Sequence, residues 1–229
     1  MNWSLALHIL AGALALVAGA TALATPKGGR LHRRAGNVFL AAMLLMSVTG
    51  GIIAALAGIR VTVLAAGLTA YLVGSGWMAA RRPDGVAGRL EGLALAAGLC
   101  VAAYGVLLGI DAGNGRTDLI DGTFAVPPAI YFTFAGLAAL GAATDGWTLA
   151  LRGLTHRPRI RRHVWRMCGA LYIAASSFFT GQQDVFPKAL QGSPLLEAPE
   201  NLVLVLLLFW LVRVSLSKRF APTPTVAAE

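Results

Sequence analysis

Two groups of residues in this sequence have the types and spacing to do chemistry. The first contains His32, Arg33, Glu91, Asp145, His163 and Arg166, each inside or at the edge of a long apolar run. Ionisable groups in such surroundings are costly, which makes each a functional candidate. His163 and Arg166 are three residues apart and share a helical face. Asp145 lies six residues before the end of its run, roughly 9 Å deep at ~1.5 Å per residue. Arg166 enters the same end less deeply, so an Asp145–Arg166 pair would neutralise both. The plainer reading of this group is an ion-pair network that fixes helix packing. The sharper reading is a basic pocket for an anionic head group, a phosphate or haem propionates.

The second group contains His8, Gln182 and Asp184, with Tyr131, Gln183 and Asn201 nearby in the same register. His8 stands about five residues into the first apolar run. It reads either as a histidine bonded to a neighbouring helix or as a ligand or proton carrier, since imidazole changes charge near neutral pH.

The ligand chemistry of the histidines is limited. Two axial haem ligands must face each other at one depth. His8 is alone at its end, whereas His32 and His163 share the other, with Arg33, Arg34, Arg161 and Arg162 available for propionates. A zinc site needs three or four convergent ligands. His32, His163, Glu91 and Asp145 could supply them, but no close histidine spacing enforces it, so no metal is expected. The sequence has no P-loop, no G-x-S-x-G elbow and no H-E-x-x-H. Whether the chain is an enzyme is left open.

The elements that must carry these groups are membrane helices. The chain has 229 residues, 57% hydrophobic and 13% charged, with a mean hydropathy of +0.69. Soluble domains carry about 25% charged residues, so the solvent for most of this surface is the lipid bilayer. Seven apolar segments are marked: Trp3–Thr25, Ala35–Ile59, Val61–Ala80, Leu90–Ile110, Val126–Leu151, His163–Gly181 and Asn201–Ser217. Each approaches the ~20 residues that a helix needs to cross ~30 Å of hydrocarbon. The predicted fold is an all-α bundle of seven transmembrane helices. Residues 1–219 form one domain and residues 220–229 a disordered cytoplasmic tail. Cys100 and Cys168 fall inside apolar runs and are expected to be buried.

Charge orients the bundle. The formal charge of +9 does not indicate nucleic acid, because the basic residues sit in short clusters between apolar runs. With the N-terminus outside and the C-terminus in the cytoplasm, 16 of the 19 Lys and Arg residues fall on the cytoplasmic side, Lys218 and Arg219 included. Only Arg60, Arg116 and Lys188 fall outside. This alternation follows the positive-inside rule for an integral membrane protein. The acids lean outward: Asp111, Asp118, Asp121, Asp184, Glu197 and Glu200. The first segment is read as a retained helix rather than a signal peptide, since its basic residues follow the apolar run instead of preceding it. The pattern suggests three hairpins with basic inner turns and a lone last helix. The half-apolar stretch Gln182–Glu200 is expected to lie on the membrane or dip into the bundle.

Two stretches resemble a known family. One is His8, Gly12 and Gly19 followed by Leu31-His32-Arg33-Arg34-Ala35-Gly36-Asn37-Val38-Phe39. The other is Arg162-His163-Val164-Trp165-Arg166-Met167, with Asp145 before it and Phe178-Phe179-Thr180-Gly181-Gln182 after it. Together, over roughly residues 5 to 215, they are similar to an uncharacterised family of predicted bacterial multipass membrane proteins, a domain of unknown function. The resemblance implies a membrane fold and no particular reaction. It marks His8, His32, Asp145, His163, Arg166 and Gln182 as motif positions. Asn37 departs from the arginine expected after the glycine. The leading functional expectation is a polar, basic pocket at the cytoplasmic face for a small anionic or amphiphilic ligand, in transport or sensing. The alternatives are a redox or metal-dependent membrane enzyme using His32 and His163, with haem as the cofactor considered, and a structural partner subunit.

Overall fold

In lipid every backbone amide must find its partner inside the chain, which long uninterrupted helices achieve. The computed structural model describes residues 3–120 and 124–217 and shows this solution. Its helices are α1 (Trp3–Ala24), α2 (Arg30–Ala57), α3 (Arg60–Arg81), α4 (Arg89–Gly113), α5 (Pro128–Ala150), α6 (His156–Phe179) and α7 (Ala198–Leu216). Between α4 and α5 a short antiparallel pair, β1 (Leu119–Ile120) and β2 (Phe124–Ala125), closes the connection. Asp121, Lys218, Arg219 and the tail 220–229 lie outside the described residues.

Among the described residues seven α-helices are present, as the sequence predicts, and five of them are long and apolar enough to cross a membrane: α1, α2, α3, α4 and α7. The other two, α5 and α6, carry Asp145, Arg162 and Arg166, and these interior charges lower their hydropathy. The largest boundary differences from the apolar segments are at two helix starts. α2 and α6 begin several residues earlier, at Arg30 and His156. Arginine is a good helix former, and hydropathy registers only the apolar part of each helix.

Local chemistry ends the helices. Lys27 donates to the carbonyls of Ala22, Leu23 and Thr25 at 3.0, 2.5 and 3.3 Å, satisfying the end of α1. Gly58 at φ 73° stops α2, its N–H turned back to Ala54 and Ala55, a left-handed position that glycine takes without a Cβ clash. Pro128 opens α5 where the missing N–H costs nothing.

α3 is the central helix: half of its span is buried, against 17% for α7. It packs against α2, α4, α5 and α6, while α1 pairs with α2 and α7 with α6. The core joins Phe39, Met43, Leu68, Leu72, Val73 and Leu171. On α1 the small face includes buried Ala15 and Gly19, and a Cβ at Gly19 would come within 2.7 Å of Leu171. Outward-facing Leu10, Leu14 and Val17 of α1, and Leu202, Val205 and Leu208 of α7, form an apolar exterior suited to lipid.

Two expectations are revised. α5 and α6 are joined by a short turn but do not form a closely packed hairpin; α4 and α5 do, across the opposite end. α3 lies against both α5 and α6, and long arginine side chains span the gap. Cys100 is exposed while Cys168 is buried, because the apolar run containing Cys100 turns that face outward. The stretch after α6 forms two short 3-10 turns, Gln183–Val185 and Pro194–Leu196. It is anchored by buried Leu196 and by Phe186, whose ring stacks on Phe179 at 5.9 Å.

Candidate functional site

At the end of the bundle that holds the α1–α2, α3–α4 and α5–α6 turns, one carboxylate organises three helices. Asp145 of α5 is fully buried, as is Arg166 of α6. Arg166 Nη2 reaches Asp145 Oδ1 at 3.0 Å, so the pair expected from their depths is present. Arg162, one turn earlier on the same face of α6, also donates to Asp145 Oδ1. Tyr71 of α3 donates its hydroxyl to Asp145 Oδ2 at 2.5 Å. The remaining arginine donors find oxygen on α5: Arg166 Nη2 reaches the Gly141 carbonyl at 2.7 Å and Thr144 Oγ1 at 2.8 Å. Arg162 Nη1 reaches Thr148 Oγ1 at 2.9 Å.

The Tyr71 ring fits because two facing helices offer no side chain there. A Cβ at Gly98 of α4 or Gly141 of α5 would stand 2.7 or 2.6 Å from it. Arg166 in turn lies over the Tyr71 and Trp165 rings, each at 5.3 Å, an arrangement that favours a desolvated cation. The cluster holds two guanidinium groups and one carboxylate. Arg162 Nε and Arg166 Nε are buried without a partner among the described residues. A cavity of about 10 Å³ adjoins Arg162, between Arg82, Glu91, Thr148 and Arg159, room for one water at most.

Glu91 is 2% exposed and has a separate role. It receives both arms of Arg82, at 2.7 and 3.1 Å, and the Gly88 N–H at 2.7 Å. It therefore closes the α3–α4 turn and satisfies the first turn of α4. Arg159 bonds Asp84 at 2.9 Å and the last carbonyls of α3, those of Ala79 and Ala80, at 3.1 and 3.0 Å.

His32 and His163 meet where α2 approaches α6. Their ring centroids are 6.4 Å apart and nearly perpendicular, at 78°. His32 Nδ1 bonds the Ala22 carbonyl at 3.0 Å, and His163 Nδ1 bonds the Gly76 carbonyl at 2.9 Å. A carbonyl only accepts, so each Nδ1 carries a proton, and in the neutral ring Nε2 keeps its lone pair. No group of three or more His, Cys, Asp or Glu residues able to hold a metal occurs among the described residues.

Beside His32 the first turns of α2 expose Arg30, Arg33 and Arg34. With Asn37 and with Arg81 of α3 they line an open groove of about 390 Å³. Asn37 Oδ1 accepts from Arg81 Nη2 and from Trp77 Nε1, both at 3.0 Å. The departure at Asn37 therefore holds one of the groove's arginines in place. Arg33 bonds the Gly28 carbonyl.

The opposite end is built differently. Arg60 Nε pairs with Asp118 at 2.8 Å, and Asp111 lies between Arg60, at 3.5 Å, and Arg116, at 2.7 Å. Asp118 also accepts the Val61 N–H at 2.6 Å, satisfying the first turn of α3. Tyr131 is buried here and receives the Asp118 N–H at 3.3 Å. His8 lies against α2, where Gly50 leaves room for its ring. Its Nδ1 is 3.0 Å from the Met46 carbonyl and 3.4 Å from Thr49 Oγ1. Gln182 and Asp184 are exposed and are not drawn into a site with His8.

The sequence reading missed Tyr71, Thr144, Thr148 and Arg82, and took Arg162 as a propionate partner instead of a partner of Asp145. That pairing could have been found, since Arg162 stands one turn from Arg166. Tyr71 had no such signal, because its partners come from three other helices.

Residues 5–84 match the model of a family described as "Predicted membrane protein (DUF2306)". That is a domain of unknown function. The match covers α1 to α3, with His8, His32, Arg33 and Tyr71, and stops before α4 and before Asp145, His163 and Arg166. No curated protein and no solved structure matches the chain. The chain is thus a membrane protein with several spanning helices, in line with the family resemblance over that stretch.

Proposed function

We propose that residues 1–219 form a single bundle in a bacterial inner membrane, with the N-terminus outside. Its arginine-rich end faces the cytoplasm and binds a small anionic or amphiphilic ligand, in transport or sensing. The observation that carries this reading is the distribution of ion pairs at that end. The acids Asp84, Glu91 and Asp145 are each engaged by arginine, Glu91 by Arg82 of the α3–α4 turn and the other two by arginines of α6. No acid among the described residues lines the groove formed by Arg30, Arg33, Arg34 and Arg81. Guanidinium groups without carboxylates suit planar, bidentate recognition of an anion. Within the expected site, Arg33 belongs to the binding surface. Asp145, Arg166 and Glu91 hold the helices that present it, and His32 and His163 join α2 to α6 beside it.

The test is thermal unfolding of the purified protein in mild detergent against a panel of anions. A ligand at about a hundred times its Kd adds about 2.7 kcal/mol, so a binding anion raises the midpoint at constant ionic strength. Equal midpoints for all anions would refute the reading. A reporter fused to the C-terminus checks orientation; activity of a reporter that works only outside would reverse it.

A second reading, in which the Nε2 atoms of His32 and His163 ligate haem or a metal in a redox enzyme, rests on the proximity of the two rings, 6.4 Å between centroids. An absorption spectrum with elemental analysis decides it. A Soret band lost in His163→Ala supports it, and a colourless, metal-free protein excludes it.

A further inference from the structure

We infer that the groove between α2 and α3 takes a phosphomonoester group, either as a lipid head group or on a soluble metabolite. The inference rests on the anion-binding reading above and narrows its ligand.

The donor set selects the chemistry. Four guanidinium groups, from Arg30, Arg33, Arg34 and Arg81, converge from two helices on a space of about 390 Å³. Asn37 Oδ1 is already engaged by Trp77 and Arg81, so what Asn37 offers the groove is its amide N–H₂. The lining is thus rich in donors, and its ligand must be rich in acceptors. A carboxylate brings two oxygens and one charge. A phosphodiester brings two free oxygens and one charge. A phosphomonoester brings three terminal oxygens and close to two charges at neutral pH, enough to engage guanidinium groups from both walls.

The surroundings add an electrostatic reason. The α2 first turn contains no acid and receives no side-chain cap, although its basic residues stand at the positive end of the helix dipole. Arg30 and Arg34 have no hydrogen bond or ion pair among the described residues. Arg81 is held twice, by Asn37 and by the face of Trp77 at 4.7 Å, so one wall of the groove is organised before any ligand arrives. A dianion relieves the mutual repulsion of these cations. The groove lies beside the exposed Leu31 and Val38 of α2, so its ligand could carry acyl chains alongside the bundle.

The test uses the full chain in nanodiscs of phosphatidylcholine, with methyl phosphate, dimethyl phosphate and acetate as soluble probes. A parallel set of discs includes a minor fraction of phosphatidic acid, and bound lipid is read by native mass spectrometry. Methyl phosphate should bind at least about tenfold more tightly than either monoanion, and Arg30→Gln with Arg34→Gln should weaken it by about tenfold or more. That result supports a soluble phosphomonoester. Selective retention of phosphatidic acid that the double variant loses, with no methyl phosphate binding, supports the lipid source. If dimethyl phosphate or acetate binds as well as methyl phosphate, the phosphomonoester assignment fails while the anion reading stands. If no anion or anionic lipid binds, both fail. Asn37→Ala, which frees Arg81 without removing a charge, should weaken binding less than the double substitution; unchanged binding in both variants would place the ligand elsewhere.

Discussion

α2 and α6 enter the bundle from the same end with nearly the same residues, and the structure uses them in opposite ways. α2 opens on Arg30-Leu31-His32-Arg33-Arg34, and α6 contains Arg159-Ile160-Arg161-Arg162-His163. In α6, Arg159, Arg162 and Arg166 are taken up within the fold, and Arg161 is exposed. Arg159 goes to Asp84 and the end of α3, Arg162 goes to Asp145, and Arg166 one turn on completes the cluster. In α2 no acid lies opposite, and the arginines remain around an open groove. The difference lies in the facing helices rather than in the basic stretches. α5 presents Asp145, Thr144, Thr148 and the Gly141 carbonyl to α6, whereas the α3 face opposite α2 presents Trp77 and Arg81. Arginine therefore acts as a fastener where acceptors meet it and as a recognition surface where they do not.

Removing the central acceptor should have the largest effect. Asp145→Ala leaves two buried guanidinium groups without their carboxylate and should cost about 3–5 kcal/mol. Equilibrium unfolding in detergent measures this, and a loss below about 1 kcal/mol would show that water or lipid phosphate replaces the carboxylate freely. Tyr71→Phe should follow at about 1.5–3 kcal/mol, the range for a hydrogen bond to a charged group. The ring and its slot are unchanged, so the loss reports the hydroxyl alone.

Gly141→Ala tests the slot instead of the bond. Its Cβ would meet the Tyr71 ring at 2.6 Å, and overpacking of this kind costs about 1–3 kcal/mol. Combined with Tyr71→Ala, which empties the slot, the Gly141→Ala penalty should largely vanish. An additive double variant would mean that Gly141 matters for some other reason.

These three sites also show what could be read from the chain beforehand. Apolar runs and alternating basic turns disclosed the helices, because crossing a membrane demands a run of known length. Asp145 and Arg166 were visible as opposite charges entering the membrane from the same end, and their pairing followed. Tyr71, Gly98 and Gly141 were not visible. An aromatic residue and two glycines are ordinary inside membrane helices, and only the packing of α3 between α4, α5 and α6 gives them a common role. The groove was half legible: Arg33 stood out, but Arg81 joins it from a helix end that follows it by 48 positions, through an asparagine that stands where an arginine was expected. The pairing of α4 with α5 rather than α5 with α6 was hidden for a related reason, since short turns suggest adjacency and interior arginines can bridge a gap.

The smallest expected effect on stability belongs to the other arm of the comparison. Arg34 is exposed and lines the groove without a partner in the fold, so Arg34→Gln should change unfolding free energy by no more than about 0.5 kcal/mol, as for surface positions without structural contacts. Arg162→Gln, on the corresponding basic stretch of α6, removes the charged donor that bonds both Asp145 and Thr148 and should cost several times more. The two variants carry the same chemical change at the same end of the bundle, so general effects of lost positive charge on insertion and detergent binding fall on both. If Arg34→Gln proves as damaging as Arg162→Gln, α2 contributes to stability through contacts with lipid phosphates and the division between fastener and recognition surface collapses. If it is silent in unfolding and detectable only with an anion present, the two helices have divided one kind of residue between two tasks.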